Sequence, residues 1–318
     1  MLAAAALAFG LATGLPATAL AEGPFRVGAS STGILVWIAQ DNGLFAASGA
    51  AVEVSLVSSG VEALDQVQAG ALDLGTSSEF AFMSRAIEDP NLCIYATISA
   101  SRTVTLLARS DRVVGGPEGL ENKRIGVTLG SAARFMLWQF LALSGVDESK
   151  VTLVNLSPDE LVTAMRDGTV DAGIVWEPYI TKIRNSVDVD LIEFEEQTDQ
   201  HYYFTLQGRC DLADRRPDDL KAVLAALVQA ERRARDDEAG AKAAYGKRFG
   251  IHPAEIDRIW PLHSLSVRLP QDLVWLMETE GQWRVNEGLT ALPVPNVLDL
   301  IRFGPLESVE PGAVQIIR

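Results

Sequence analysis

Glu79 and Glu177 stand 98 residues apart, each shortly after a Gly-x-x-Asp-x-Gly bend: Gly70 to Gly75 in one case, Gly168 to Gly173 in the other. Carboxylates delivered by two matching stretches of chain could serve as acid and base, bind an amine or ring N–H, or simply stabilise the first turns of two helices. Trp176 and Tyr179 flank the second glutamate. Aromatic rings beside a carboxylate suit a cationic nitrogen, and they equally suit packing against the helix behind them. Hydroxyl and glycine residues gather at Ser31-Thr32-Gly33, Ser58-Ser59-Gly60, Ser77-Ser78, Thr128-Leu129-Gly130-Ser131 and Ser157. Any one of these alone is an ordinary helix N-cap. Brought together at the carboxyl ends of parallel strands, they would offer free N–H groups and positive helix ends to the oxygens of a carboxylate, a sulfonate, nitrate or a polar heterocycle. Arg134 falls in the first turn of its helix, against the dipole preference, and either holds an anionic group or makes a surface ion pair. Arg102 is a lesser candidate of the same kind.

The elements that must position these residues are written twice. Arg26-Val27-Gly28 returns as Arg124-Ile125-Gly126, and Ser59 and Glu62 return as Ser157 and Glu160. The spacing predicts strands at 25–29, 52–57, 72–76, 93–98 and 104–108, with helices between them. The plan restarts with strands at 124–128, 151–155, 172–175 and 202–207, the last crossing back toward the first unit. Strands alternating with helices of this length specify a mainly parallel sheet covered on both faces. Beyond Pro217 the pattern turns helical, at 219–237, 241–249, 253–259 and 271–286, with no copy of the repeat. The fold expected is α/β and two-lobed, each lobe a mainly parallel sheet flanked by helices, with a C-terminal helical extension on the first lobe. The lobes would comprise 22–110 with 209–318, and 111–208, hinged near 110 and 208. A cleft between two related walls is a natural place to clamp a small molecule.

Composition narrows the function. The chain has 318 residues, 48% of them hydrophobic, enough for two cores. Its formal net charge of −15 argues against nucleic acid or an anionic membrane as partner. Residues 1–21 carry no charge and end in Ala19-Leu20-Ala21, the small-x-small form of a signal-peptidase site, so a cleaved secretory signal is expected there. Gly14 and Pro16 interrupt that stretch, and no later run approaches the roughly 20 apolar residues of a membrane span. Cys93 and Cys210 are the two cysteines; they could pair in an oxidising compartment or stay buried apart. Walker, Gly-x-Ser-x-Gly and His-Glu-x-x-His motifs are missing, and His201, His252 and His263 lack metal-ligand spacing. No catalytic residue, metal or cofactor is therefore expected.

The order of Asp41-Asn-Gly-Leu-Phe45, Gly70-Ala-Leu-Asp-Leu-Gly75, Lys123-Arg-Ile-Gly-Val-Thr-Leu-Gly-Ser131, Gly168-Thr-Val-Asp-Ala-Gly173 and Trp176-Glu-Pro-Tyr179 resembles the periplasmic substrate-binding proteins of ABC importers. Within them it is similar to the nitrate, alkanesulfonate, taurine and thiamine-precursor branch. The resemblance implies a type II periplasmic binding fold, closure on a small solute, docking to a membrane permease with its ATPase, and a monomeric chain. It places ligand contacts on the turns at Ser31, Thr32, Ser59, Ser78, Glu79, Ser101, Ser131, Trp176 and Glu177. Thr128, Arg134 and Tyr203 complete the candidate set. A glutamate on each wall fits an amino-bearing or heterocyclic solute better than a bare inorganic anion. Two alternatives remain open: an enzyme on the same scaffold, a lyase or a pyrimidine-forming one, using Glu79 or Glu177; and a sensory partner of a membrane receptor.

Overall fold

Strands and helices alternate from Phe25 onward and build two helix-flanked sheets in the computed structural model, which describes residues 23–194 and 201–318. The segment read as a signal, 1–21, lies outside the described residues. The first stretch runs β1 (Phe25–Ala29), α1 (Ile34–Asp41), α2 (Leu44–Ala47), β2 (Val52–Leu56), α3 (Gly60–Gln68), β3 (Leu74–Ser78), α4 (Glu79–Ala86), β4 (Leu92–Ser101) and β5 (Val104–Arg109). The second runs β6 (Arg124–Val127), α5 (Ala132–Leu143), β7 (Thr152–Asn155), α6 (Pro158–Asp167), β8 (Ala172–Trp176), α7 (Tyr179–Ser186), β9 (Leu191–Phe194) and β10 (Tyr202–Arg209). The remainder is α8 (Leu212–Arg215), α9 (Pro217–Asp236), α10 (Glu238–Phe249), α11 (Pro253–Ile259), β11 (His263–Arg268), α12 (Gln271–Asn286) and α13 (Phe303–Glu307).

The sheets are ordered β11-β4-β10-β3-β1-β2 and β7-β6-β8-β5-β9. Each has a parallel centre made by its own copy of the repeat, β2-β1-β3 and β7-β6-β8. The other strands run antiparallel: β10 against β3 and β4, β11 against β4, and β5 against β8 and β9. Both sheets are thus mixed rather than mainly parallel. Strand–helix alternation reports connections within a copy and is blind to a strand that leaves for the other sheet.

Two strands do leave. β5 follows β4 in sequence but pairs in the second sheet, and β10 follows β9 but pairs in the first. The chain therefore crosses between Ser101 and Val104, and again between Phe194 and Tyr202, ahead of the crossings expected near 110 and 208. The lobe boundaries move with them, because β5 and β10 are completed by partners far away in sequence. A second difference is β11, an edge strand on β4 within the stretch read as helical. It is short and half-exposed, so neither length nor alternation announces it.

The repeat is visible as a duplicated clasp. The Arg26 N–H donates to the Asp73 carboxylate at 2.9 Å, and the Arg124 N–H donates to Asp171 at 2.8 Å. Asp73 and Asp171 return their own N–H groups to Arg26 and Arg124, each at 2.9 Å. This explains why the bend needs an aspartate: its side chain and backbone together lock the entry of one strand to the entry of another. In the same register Gly28 faces Gly75 and Gly126 faces Gly173. A Cβ on Gly28 would stand 2.3 Å from Leu72, and one on Gly126 would stand 2.4 Å from Leu161, so the glycines admit those leucines to the sheet surface.

Cys93 and Cys210 form a disulfide, with Cα atoms 4.8 Å apart, which decides between the two arrangements open from sequence. It joins β4 to the residue following β10, neighbours in the first sheet. The loop so closed, 117 residues in sequence separation, contains the whole second sheet.

Candidate functional site

The carboxyl ends of the central strands point the starts of α3, α4 and α5 at one crevice between the sheets. Its walls are Ser30, Thr32, Ser59, Gly60, Val61, Ser78 and Ala81 from the first copy, Ser131, Ala132 and Trp176 from the second, and Val104, Tyr202 and Phe204 from the exchanged strands. The free volume is about 30 Å³, room for one or two waters. A larger solute requires the walls to part. Hydroxyls stand beside an apolar surface, and no charged side chain is among the lining residues. An anionic group here would be held by hydroxyls and helix N–H groups rather than by a counter-ion.

Sequence and helix capping explain how the three starts differ. Ser59 accepts from the Glu62 N–H at 3.2 Å, and the Glu62 carboxylate reaches back to the Ser58 N–H at 2.7 Å. Ser78 accepts from the Ala81 N–H at 3.2 Å. Ser131 does not cap α5 in this way; its hydroxyl donates to the Thr128 carbonyl at 2.7 Å. The first turn of α5 is accordingly left with the fewest side-chain acceptors of the three.

Thr32, Ser59, Ser78, Ser131 and Trp176, all candidates from sequence, line the crevice together. The other candidates stand elsewhere. Ser31 is buried between Ser30 and Thr32 without being among the lining residues. Thr128 donates its hydroxyl to the Leu156 carbonyl at 2.7 Å, fixing the turn before α5. Ser101 is 2.8 Å from His263 Nδ1, and burial pushes that histidine down to about 4, so it is neutral at physiological pH. Tyr203 donates to Asp272 at 2.7 Å, on the opposite face of β10 from Tyr202 and Phe204. Strand alternation is the reason: positions 202 and 204 share one face and 203 takes the other. Alternation along Tyr202-Tyr203-Phe204 was the signal that could have found the two lining aromatics.

Arg134 is buried, with its guanidinium 2.6 Å from Glu148 and 5.1 Å from the Trp283 ring centroid. It joins the second copy to α12 instead of facing the crevice. Phe80, Phe135, Trp138 and Trp283 stack around that contact at centroid separations of 5.2–5.7 Å.

The two glutamates also face away from the crevice. Glu177 is 3% exposed; its carboxylate is 2.6 Å from Arg258 and 3.5 Å from Arg184, and accepts from the Thr181 N–H at 3.0 Å and hydroxyl at 2.9 Å. Glu79 is fully buried, and neither of its oxygens has a hydrogen-bond partner within normal geometry. Burial raises its pKa to about 8, despite backbone N–H groups of Tyr203, Glu79 and Phe80 that act in the opposite sense. Glu280 on α12 is 1% exposed and is also pushed up, by burial first and then by Glu79. Sequence reading missed Glu280 and Arg258, because both lie in the C-terminal helices that carry no repeat.

The two-lobed α/β arrangement with crossover strands is the fold of periplasmic binding proteins. The chain belongs to the NMT1/THI5 like family, whose profile matches residues 30–240. A Brucella abortus (strain 2308) chain named only as a binding protein is 28% identical over 240 residues, covering 71% of this chain and 72% of that one. The alkanesulfonate-binding protein of Xanthomonas axonopodis pv. citri, solved with MOPS bound, superposes with a TM-score of 0.78 at 20% identity, over 89% of this chain and 99% of that one. The desulfurization enzyme DSZB superposes with a TM-score of 0.65 at 15% identity, over 92% and 99%.

Proposed function

We propose that this protein is an extracytoplasmic solute receptor that captures a small polar organic solute with an oxygen-rich head, of the sulfonate class, and delivers it to an ABC permease and its ATPase. The observation that carries the reading is the convergence of α3, α4 and α5, from both copies, on one crevice with Ser59, Ser78 and Ser131 at their starts. Helix N–H groups and hydroxyls suit a sulfonate head, and Val61, Val104, Trp176 and Phe204 suit an apolar body. The family and the fold of an alkanesulfonate-binding protein support the same class. Binding favours the closed arrangement, and the solute enters when the lobes part about the two crossings. The charge-free segment 1–21 supports export.

The receptor is not an enzyme in this reading. The lining contains no carboxylate, imidazole, amine or thiol to act as base or nucleophile, and the carboxylates Glu79 and Glu177 face elsewhere. The test is a melting screen of the mature protein against alkanesulfonates, amino-sulfonates, nitrate, pyrimidines and simple amines, followed by calorimetry. A sulfonate should raise the melting temperature in proportion to its saturation, and Ser131→Ala should weaken its binding. A folded protein indifferent to every sulfonate refutes the class; turnover of a bound solute refutes the receptor.

A further inference from the structure

On the outer side of the first sheet, α9 lays Glu231, Arg232 and Arg235 against the edge strand β11. With Ser266 and Arg268 of β11 and Glu310 of the C-terminal turn they wall a cleft of about 430 Å³. None of its lining residues is shared with the crevice. Three arginines thus gather in one place on a chain whose net charge is −15. Two of them have partners: Arg232 lies 2.7 Å from Glu310, and Arg235 lies 3.6 Å from Glu231. Both arginines are exposed, and ion pairs of that kind contribute little to stability. Glu231 is engaged further, accepting from the Val267 N–H at 2.8 Å.

Arg268 differs from the other two. Among the described residues its guanidinium makes no hydrogen bond or ion pair, and its Nε is buried without an acceptor. Ser266, two positions earlier and in the same wall, also buries a hydroxyl that has no partner. The strand is irregular at this point: Leu265 pairs with Ser99 and Arg268 with Thr97, so three steps along β11 answer two along β4. A bulge of this kind re-aims side chains at a sheet edge and is frequent beside functional sites. Buried donors left unmade are costly, and neighbouring donors without acceptors in an open cleft call for an acceptor from outside.

We propose that this cleft is a second binding site, separate from the crevice, which takes the carboxylate or phosphate group of a small organic acid. Arg268 supplies the planar fork that matches such an oxyanion, and Ser266 supplies a hydroxyl donor. Glu310 and Glu231 offset the other two guanidiniums, so Arg268 is the uncompensated charge and the site suits a ligand of low negative charge. The volume leaves room for an organic body beyond the head group. Occupation would join α9, β11 and the C-terminal turn, three separate elements of the first lobe.

The test is calorimetric titration of the intact protein with inorganic phosphate and with succinate, against sodium chloride of equal ionic strength, followed by thermal melts. At least one of the two anions should bind saturably at millimolar concentration and raise the melting temperature, and chloride should do neither. Arg268→Gln should weaken that binding roughly tenfold to a hundredfold, the range of a charge-assisted hydrogen bond. Arg268→Lys, which keeps the charge and loses the fork, should weaken it less. Should Arg268→Gln fail to fold, Ser266→Ala carries the same prediction with a smaller loss. A melting temperature that climbs without saturating and still climbs in Arg268→Gln is the general effect of an excluded salt, and overturns the site. Binding that Ser131→Ala abolishes and Arg268→Gln preserves places the anion in the crevice, and overturns it equally. Absence of binding by both anions also overturns the site, and no one of these results counts against the sulfonate reading of the crevice.

Discussion

Glu79 and Glu177 follow matching strands in matching copies, yet one sits among unpartnered groups in apolar surroundings and the other is held by Arg258, Arg184 and Thr181. Part of this contrast lies within the copies, since Thr181 and Arg184 on α7 stand where α4 has Met83 and Ala86. The rest comes from the unrepeated helices, where α11 brings an arginine to Glu177 and α12 brings another carboxyl group to Glu79. Duplication supplied two equivalent positions, and divergence of α7 together with the C-terminal extension made one an ionic tie between the lobes and the other an acidic chamber.

The comparison can be broken at several points. The largest effect is expected at the disulfide, which staples the first sheet and has no counterpart in the second. Replacing Cys93 and Cys210 together by serine should cost about 3–5 kcal/mol in urea unfolding, the range for a loop of this length. Next comes the pH response of Glu79. Its pKa is raised in the folded state, so its contribution to stability is full below the unfolded value of about 4.5 and is lost as pH rises through about 8. Glu79→Gln should flatten the decline between pH 5 and 8 in thermal melts. A slope unaffected by Glu79→Gln would mean that the chamber is not where the protons are held.

Smaller changes sharpen the same contrast. Arg258→Ala leaves the Glu177 carboxylate with Arg184 and Thr181, and should cost about 1–3 kcal/mol by chemical denaturation, with the half-exposed arginine favouring the low end. Ser78→Ala removes a true N-cap and should cost about 1 kcal/mol, whereas Ser131→Ala should cost less because Ser131 caps no N–H. The two should then reverse in rank relative to stability when solute affinity is measured, if the open first turn of α5 holds the head. Smallest of all, Asp73→Asn should exceed Asp171→Asn by under about 1 kcal/mol, because Asp73 also pairs with the Arg26 guanidinium at 2.8 Å while the Arg124 side chain turns to the Thr169 carbonyl.

Much of this was readable in the chain. The 98-residue repeat located both parallel centres, the clasped bends and five of the crevice residues, because local capping and turn chemistry are written in short stretches. Helices 253–259 and 271–286 were bounded correctly by their prolines and apolar spacing. What escaped depends on distant partners. The exchange of β5 and β10 is a choice of hydrogen-bonding neighbour, and β11 is an edge strand with little burial to mark it. Tyr203 was chosen over Tyr202 because an aromatic run names a strand without naming its face. Glu280 and Arg258 had no copy to draw attention to them, and a carboxylate on a long helix reads as solvated until the fold buries it.

The strand exchange also bears on the order in which the chain can become structured during synthesis. A nascent chain that ends at Arg109 has β5 in hand with no second sheet to receive it, and has β3 and β4 lacking the strand that belongs between them. Open strand edges of that kind invite pairing with other chains. The second sheet cannot be completed until β9 has emerged, and β3 and β4 are not joined until Tyr202–Arg209 has followed, so the first hundred residues must wait for the second hundred. Splitting the protein at the crossings should therefore yield two insoluble halves rather than two small domains.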